Sequence, residues 1–423
     1  MIRRRIEHKA RQWVPSAMPF FLFGFSYYVV SPFFVFKYLS ESSDLLDVAG
    51  RYINPAYFDF GYFIDAVVIL VSFMVGYFLA KSVINTRASA LDYGSYQSNY
   101  PKLLAVGFFV LIVYFSLLAN ASGAGFFTGY SSYNIAVLGP FSTCVFMCSW
   151  FVNYFSNKNI SILFFSFFAF CSVLLLGWGS RMFFVLGFTA LILGFVSKNK
   201  HILKSVWLYS FIIGAGLLMI MVGVLREGGG KLSSDILVSV FFAEPLFTSV
   251  TGSLYLESLG SRPVYGVPYD VFASIIHAIP SVIYPDKMQL INEITRNENV
   301  VSPFGAKALL VNLYSNFGMF YPLFVALIGF YYGFLNRRAQ NSIFYRATYF
   351  SVLPIILLLF FRENLTTVLK VMFFNGLLVP LLVSLMLLGL SPRTIAEIRA
   401  RIHHKSATDD SISENQRATT NLY

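Results

Sequence analysis

Apolar runs of around twenty residues recur along this chain, and they limit what it can fold into more than any other feature. A helix of that length crosses roughly 30 Å of hydrocarbon, where the backbone must satisfy its own hydrogen bonds. Charged residues are only 12% of the sequence, about half of what a soluble chain carries. The sequence therefore predicts an all-α polytopic membrane protein. Spans fall at 17–36, 61–80, 103–121, 134–155, 160–178, 181–197, 205–225, 306–335, 347–361 and 368–390. That makes about ten transmembrane helices in a single transmembrane domain covering 1–423.

The long interruption is 226–305, between the seventh and eighth spans. It holds Gly228, Gly229 and Gly230, an apolar segment carrying Glu244 and Pro245, and a polar run from Asp286 to Glu298. A partly helical loop is expected here, with one helix over 269–279 that ends before Pro280.

Basic residues mark alternate connections. Lys81, Arg87 and Lys102, then Lys158, then Lys198, Lys200 and Lys204, then Arg337, Arg338 and Arg346 lie on one side. The intervening connections are acidic or uncharged. By the positive-inside rule both termini are cytoplasmic, the 226–305 loop is outside, and 391–423 is a cytoplasmic tail. The basic N-terminus, Arg3-Arg4-Arg5, precedes an apolar run with no small-residue cleavage site, so it is expected to lead an uncleaved first span. A net charge of +11 would suit nucleic acid in a soluble protein, but here it orients spans, and no nucleic-acid partner is expected. Cys144, Cys148 and Cys171 fall inside spans, which suits packing and not a disulfide or metal framework.

The charges that topology does not explain are the basic groups on the outer side: Arg181, Arg226, Arg262 and Arg362, with Lys231, Lys307 and Lys370. They can pair with Glu227, Glu244 or Glu363, or converge on a phosphate or diphosphate, which the guanidinium fork suits. The sequence has no P-loop and no Asp-rich metal motif, so a lipid-linked phosphate is favoured over a nucleotide, with no metal or cofactor expected. His277 is the one histidine on this side, and helical spacing puts it on a face with Asp270 and Ser274. It is a candidate for proton transfer or phosphate contact, or else an interfacial histidine. Glu244 is a candidate base or an arginine partner, and Asp65 is a weaker candidate of the same kind. Tyr255, Tyr265, Tyr269 and Tyr284 can form a sugar-stacking platform or an interfacial belt.

Three short features resemble the Wzy-type oligosaccharide repeat-unit polymerases, the O-antigen and capsule polymerases. They are the Gly179-Ser180-Arg181 turn, the loop with Ile279-Pro280-Ser281 and Tyr284-Pro285-Asp286-Lys287, and Ser302-Pro303-Phe304-Gly305 leading into Leu313-Tyr314-Ser315-Asn316-Phe317-Gly318. The chain departs from that pattern in two places. Ala308 to Asn312 hold no glutamate, and Phe320 and Tyr321 stand where a second glycine is common. The resemblance implies a GT-C-like, metal-independent glycosyltransferase of the bacterial inner membrane, acting on the periplasmic side. It would transfer a growing glycan from undecaprenyl diphosphate to a new undecaprenyl-diphosphate-linked oligosaccharide, alongside membrane lipid and a chain-length regulator. Glu244 and His277 would be catalytic, the four arginines would hold diphosphate, and Tyr314 and Asn316 would contact substrate. A flippase or transporter for the same lipid-linked sugar, or an O-antigen ligase, are the alternatives.

Overall fold

The structure, a computed structural model, describes residues 13–39, 44–84, 92, 100–121, 135–178, 181–206, 210, 213–214, 216–217, 221, 234–279, 284, 286–296 and 306–389. Its regular elements are all helical, and no strand occurs among the described residues. In chain order they are α1 (Met18–Tyr38), α2 (Asp44–Arg51), α3 (Phe60–Val83), α4 (Tyr100–Ala121), α5 (Ile135–Tyr154), α6 (Lys158–Gly177) and α7 (Arg181–Lys198). There follow α8 (Ser234–Leu259), α9 (Tyr269–Ala278), α10 (Lys287–Arg296), α11 (Leu309–Phe317), α12 (Tyr321–Ala339), α13 (Ile343–Arg362) and α14 (Leu365–Met386). Seven helices among the described residues are long and apolar enough to cross a membrane, so the chain is a multi-pass membrane protein. The expected span over 205–225 lies mostly outside the described residues. The span expected at 181–197 appears as the shorter apolar helix Met182–Lys198.

The tightest packing joins α3 to α12, which run parallel. A Cβ on Gly76 would overlap the Ala326 carbonyl, one on Gly329 the Phe73 carbonyl, and one on Gly333 the Tyr77 carbonyl. Helices in lipid gain little from burying apolar surface against each other, so close backbone approach through small residues carries the association. At one end of this pair, Arg337 Nε donates to the Ile84 carbonyl at 3.3 Å. Lys81 lies near that same end, in the last turn of α3. The opposite end carries the polar network described below.

In two helices a tyrosine hydroxyl from another element satisfies a backbone carbonyl. Pro245 sits inside α8 without ending it. Its ring frees the Phe241 carbonyl four residues back, and the Tyr27 hydroxyl donates to that carbonyl. In α1, residues Ser26–Val30 form a π turn, and the Val29 carbonyl accepts from the Tyr62 hydroxyl at 2.5 Å.

The stretch expected as one span at 306–335 is divided. Helix α11 stops at Gly318, whose φ of 53° and ψ of −135° suit a residue without a Cβ. The segment 262–268 lies against this break. Val267 N–H donates to the Ser315 carbonyl at 3.0 Å, and Met319 N–H to the Val264 carbonyl at 2.9 Å. A side chain at Gly318 would strike the Val264 carbonyl, so the break and the docked segment require each other.

A polar network at one end of the bundle

Asp59 caps α3, accepting from Tyr62 N–H at 2.8 Å. The same carboxylate holds the Arg262 fork, with Nη2 at 2.7 Å and Nη1 at 3.2 Å from its two oxygens. Arg262 Nε donates to Asp65 at 3.1 Å. The guanidinium lies across the first turn of α3, where a Cβ on Gly61 would meet it about 2.5 Å away. Its hydrogen bonds hold the Asp59 carboxyl below the usual range. Asp65 is buried and accepts two further bonds, from Tyr314 Oη at 2.7 Å and Tyr321 Oη at 2.9 Å.

Beside Arg262 lies an open cleft of about 350 Å³, lined among others by Asn54, Tyr57, Asp59, Ser253 and Glu257. Carboxylates, an amide, hydroxyls and a tyrosine ring together can both donate to and accept from sugar hydroxyls.

A second cluster is centred on Arg362, at the end of α13. Its Nε lies 2.9 Å from Glu244 Oε2, and its Nη1 pairs with Glu363. Tyr28 Oη, on the π turn of α1, donates to Glu244 at 3.2 Å. Burial pushes the Glu363 carboxyl above its usual range, with Arg362 opposing the shift.

A third cluster is buried. Asp270 is fully enclosed at the start of α9, and Lys307 Nζ approaches its Oδ2 at 3.2 Å. Asn316 Nδ2 donates to the same oxygen at 2.8 Å, and Thr366 Oγ1 to the other at 2.5 Å. Asp270 N–H in turn donates to Asn316 Oδ1 at 2.9 Å. Farther along α9, His277 Nε2 lies 3.4 Å from Lys370 Nζ on α14.

Helix α11 joins the three clusters. Asn312 donates to the Glu363 carbonyl at 2.8 Å, Tyr314 donates to Asp65, and Asn316 bonds Asp270. Three polar residues spaced by two thus tie the post-α13 turn, α3 and α9 to one nine-residue helix.

Of the residues expected at the site, Arg262 and Asp65 share one cluster with Tyr314, while Arg362 and Glu244 share another. Arg362 engages Glu244 and Glu363, two of the partners the sequence left open beside phosphate contact, whereas Arg262 engages Asp65, the weaker candidate, and Asp59, which was not among them. Asn316 and His277 lie on the α9 side, and nothing brings His277 into contact with Glu244. Arg226 and Lys231 lie outside the described residues, as do Gly179 and Ser180. Arg181 begins α7, and its side chain is likewise outside them. Tyr255 is buried and Tyr265 is 80% exposed, so the two do not form one stacking surface. Asp59, Tyr321, Asn312 and Thr366 were not singled out in the sequence, although Asp59 directly before an apolar run is the signal of a helix cap. Among the described residues, no three of His, Cys, Asp and Glu converge as a metal-ligand set.

No protein-family model, curated protein or solved structure matches the chain.

Proposed function

We propose that the protein is a metal-independent glycosyltransferase of the bacterial inner membrane that polymerises undecaprenyl-diphosphate-linked repeat units by block transfer. The observation that carries this reading is the Glu244–Arg362 pair, 2.9 Å apart, at the bundle end that also holds Arg262 and its cleft. A carboxylate beside a guanidinium supplies the two groups such a transfer needs, a base and an anion stabiliser.

In the proposed step a hydroxyl of the acceptor sugar attacks the anomeric carbon of the donor glycan. The new C–O bond forms as the bond to the diphosphate breaks, and the acceptor proton passes to Glu244. The bonding pair leaves on the lipid diphosphate, where charge develops and arginine can stabilise it. A positioned base contributes about 10²–10⁴-fold to such a step. The cleft lined by Asn54, Tyr57 and Glu257 has the donors and acceptors to hold the acceptor sugar. A periplasmic site, cytoplasmic termini, ten spans and a GT-C-like arrangement belong to the same proposal, as does a chain-length regulator as partner.

The test is the surface glycan of a deletion strain and its complements. Loss of the protein should leave glycan capped at a single repeat, and Glu244→Gln or Arg362→Ala should shorten or abolish chains at unchanged protein abundance. Complete absence of surface repeats would refute the reading in favour of a flippase, and long chains without transfer to the lipid core would favour a ligase.

A further inference from the structure

Arg262 and Arg362 are engaged by carboxylates, whereas two lysines and a histidine around the C-terminal end of α9 are not, among the described residues. His277 Nε2 lies 3.4 Å from Lys370 Nζ. Lys287, at the start of α10, places its Nζ 3.3 Å from the His277 carbonyl and 2.5 Å from that of Ile279. Lys287 is itself buried, at 7% exposure. His277 Nδ1 is also buried, and it makes no hydrogen bond among the described residues.

The described residues of the elements packed on α9 supply no balancing charge. Asp270, on α9 itself, is committed to Lys307, Asn316 and Thr366. Lys370 is the only charged residue of the Leu365–Phe373 turns of α14, and α11 carries none. Asp286 directly precedes α10 and Glu293 lies on it, but no carboxylate among the described residues comes within 4.0 Å of Lys287 or Lys370. Two ammonium groups and an imidazole are thus held together, half out of water, without an anion among the described residues. Such an arrangement costs free energy unless a ligand offsets it. Burial, and then Lys370 and Lys287, push the His277 pKa down to about 4.

We infer that Lys287, Lys370 and His277 form an anion site that takes a phosphate or diphosphate group. Phosphate oxygens would accept from both ammonium groups and from the imidazole, which becomes a two-nitrogen donor once protonated. A lipid-linked diphosphate and an anionic phospholipid headgroup present the same chemistry. Identifying the ligand with the diphosphate of the transfer reaction rests on the function proposed above. The anion site itself does not.

The experiment follows His277 by histidine-selective NMR in the full-length protein in nanodiscs, with its signal assigned by His277→Gln. Inorganic pyrophosphate is added in phosphatidylcholine discs, and separately the discs are changed to phosphatidylglycerol. The expected result is a rise in the His277 pKa of about one unit or more, a tenfold change in proton affinity, in at least one arm. Lys370→Met and Lys287→Gln should each reduce the rise, and Lys370→Arg should retain it. A rise with pyrophosphate alone assigns the site to a diphosphate, and a rise with phosphatidylglycerol alone assigns it to a lipid headgroup. A His277 pKa that does not move in either arm, or a rise that survives Lys370→Met and Lys287→Gln, overturns the inference. Repeat-unit polymerisation measured on the same variants separates the two claims. An unmoved pKa with intact polymerisation removes the site and leaves the function, and a moved pKa without polymerisation does the reverse.

Discussion

Replacing Asp65 by alanine tests whether the network around α11 is held by specific hydrogen bonds or by packing alone. The carboxylate accepts from Tyr314 at 2.7 Å, Tyr321 at 2.9 Å and Arg262 Nε at 3.1 Å. Both tyrosines are 4% exposed, so water cannot readily replace the lost acceptor. Leaving a buried hydroxyl unsatisfied costs about 1–3 kcal/mol, so the two together predict a loss of about 2–6 kcal/mol. Arg262 adds little to this, because it keeps both bonds to the half-exposed Asp59. The sharper consequence is a rescue. Introducing Tyr314→Phe and Tyr321→Phe into Asp65→Ala removes the orphaned hydroxyls and should restore about half of the loss. In the native background the same two changes should destabilise. Equilibrium unfolding in mixed micelles, arranged as a mutant cycle, measures the difference, with a coupling of at least about 1–3 kcal/mol expected. If the losses simply add, the hydroxyls do not depend on Asp65 and the network is not what holds α11.

Two further outcomes are expected. Gly76→Leu should push α3 off the Ala326 carbonyl of α12 and cut the yield of folded protein several-fold, whereas Gly107→Leu, with open space around its Cβ, should leave yield unchanged; membrane abundance and thermal unfolding read both. The second concerns pH. His277 has a folded pKa of about 4 against an ordinary 6.5, so the unfolded chain binds its proton first as pH falls. Its contribution to stability is fully present above 6.5 and is lost as pH falls towards 4, by a modest amount because the ring is only half-buried. Thermal unfolding of His277→Gln should fall off less than wild type across that window, and equal slopes would refute the assignment.

The membrane spans were legible because hydropathy and length are local properties. Expected spans at 61–80 and 160–178 correspond to Phe60–Val83 and Lys158–Gly177. The helix over 269–279 was legible for a similar reason, since Pro280 sets its end and Tyr269–Ala278 is observed. What escaped depends on partners distant in sequence. Arg346 reads as one more orienting charge, yet it is buried, with Nε donating to the Ala339 carbonyl at 3.2 Å. That bond to the end of α12 has no local signature. The division of 306–335 had one in Gly318 followed by Pro322, but apolar residues on both sides outweighed it.

The candidate site was half legible for the same reason. Arginine, glutamate and histidine on the outer side stand out by type, so Arg262, Arg362, Glu244 and His277 could be singled out. Glu244 and Glu363 could also be read as arginine partners, but nothing tied Asp59 or Asp65 to Arg262, because both lie about two hundred positions away and look like any other acids in sequence.

Those partners alter what 226–305 can do. Its segments α8, 262–268 and α9 are tied by Arg362–Glu244, by Arg262 to α3, and by Asp270 to Lys307, Asn316 and Thr366. Opening it as a free lid would expose Asp270 and break at least three ion pairs together. The exposed pairs are cheap to exchange, each worth about 0–1 kcal/mol, while separating a buried one costs about 3–5 kcal/mol. A phosphate group that engaged Arg262 or Arg362 would therefore exchange with the partly exposed Asp59 or Glu244 long before it moved α9, while the lysines at the end of α9 need no such exchange. Binding by exchange at the rim, over a buried Asp270 that stays put, is the response the energetics favour.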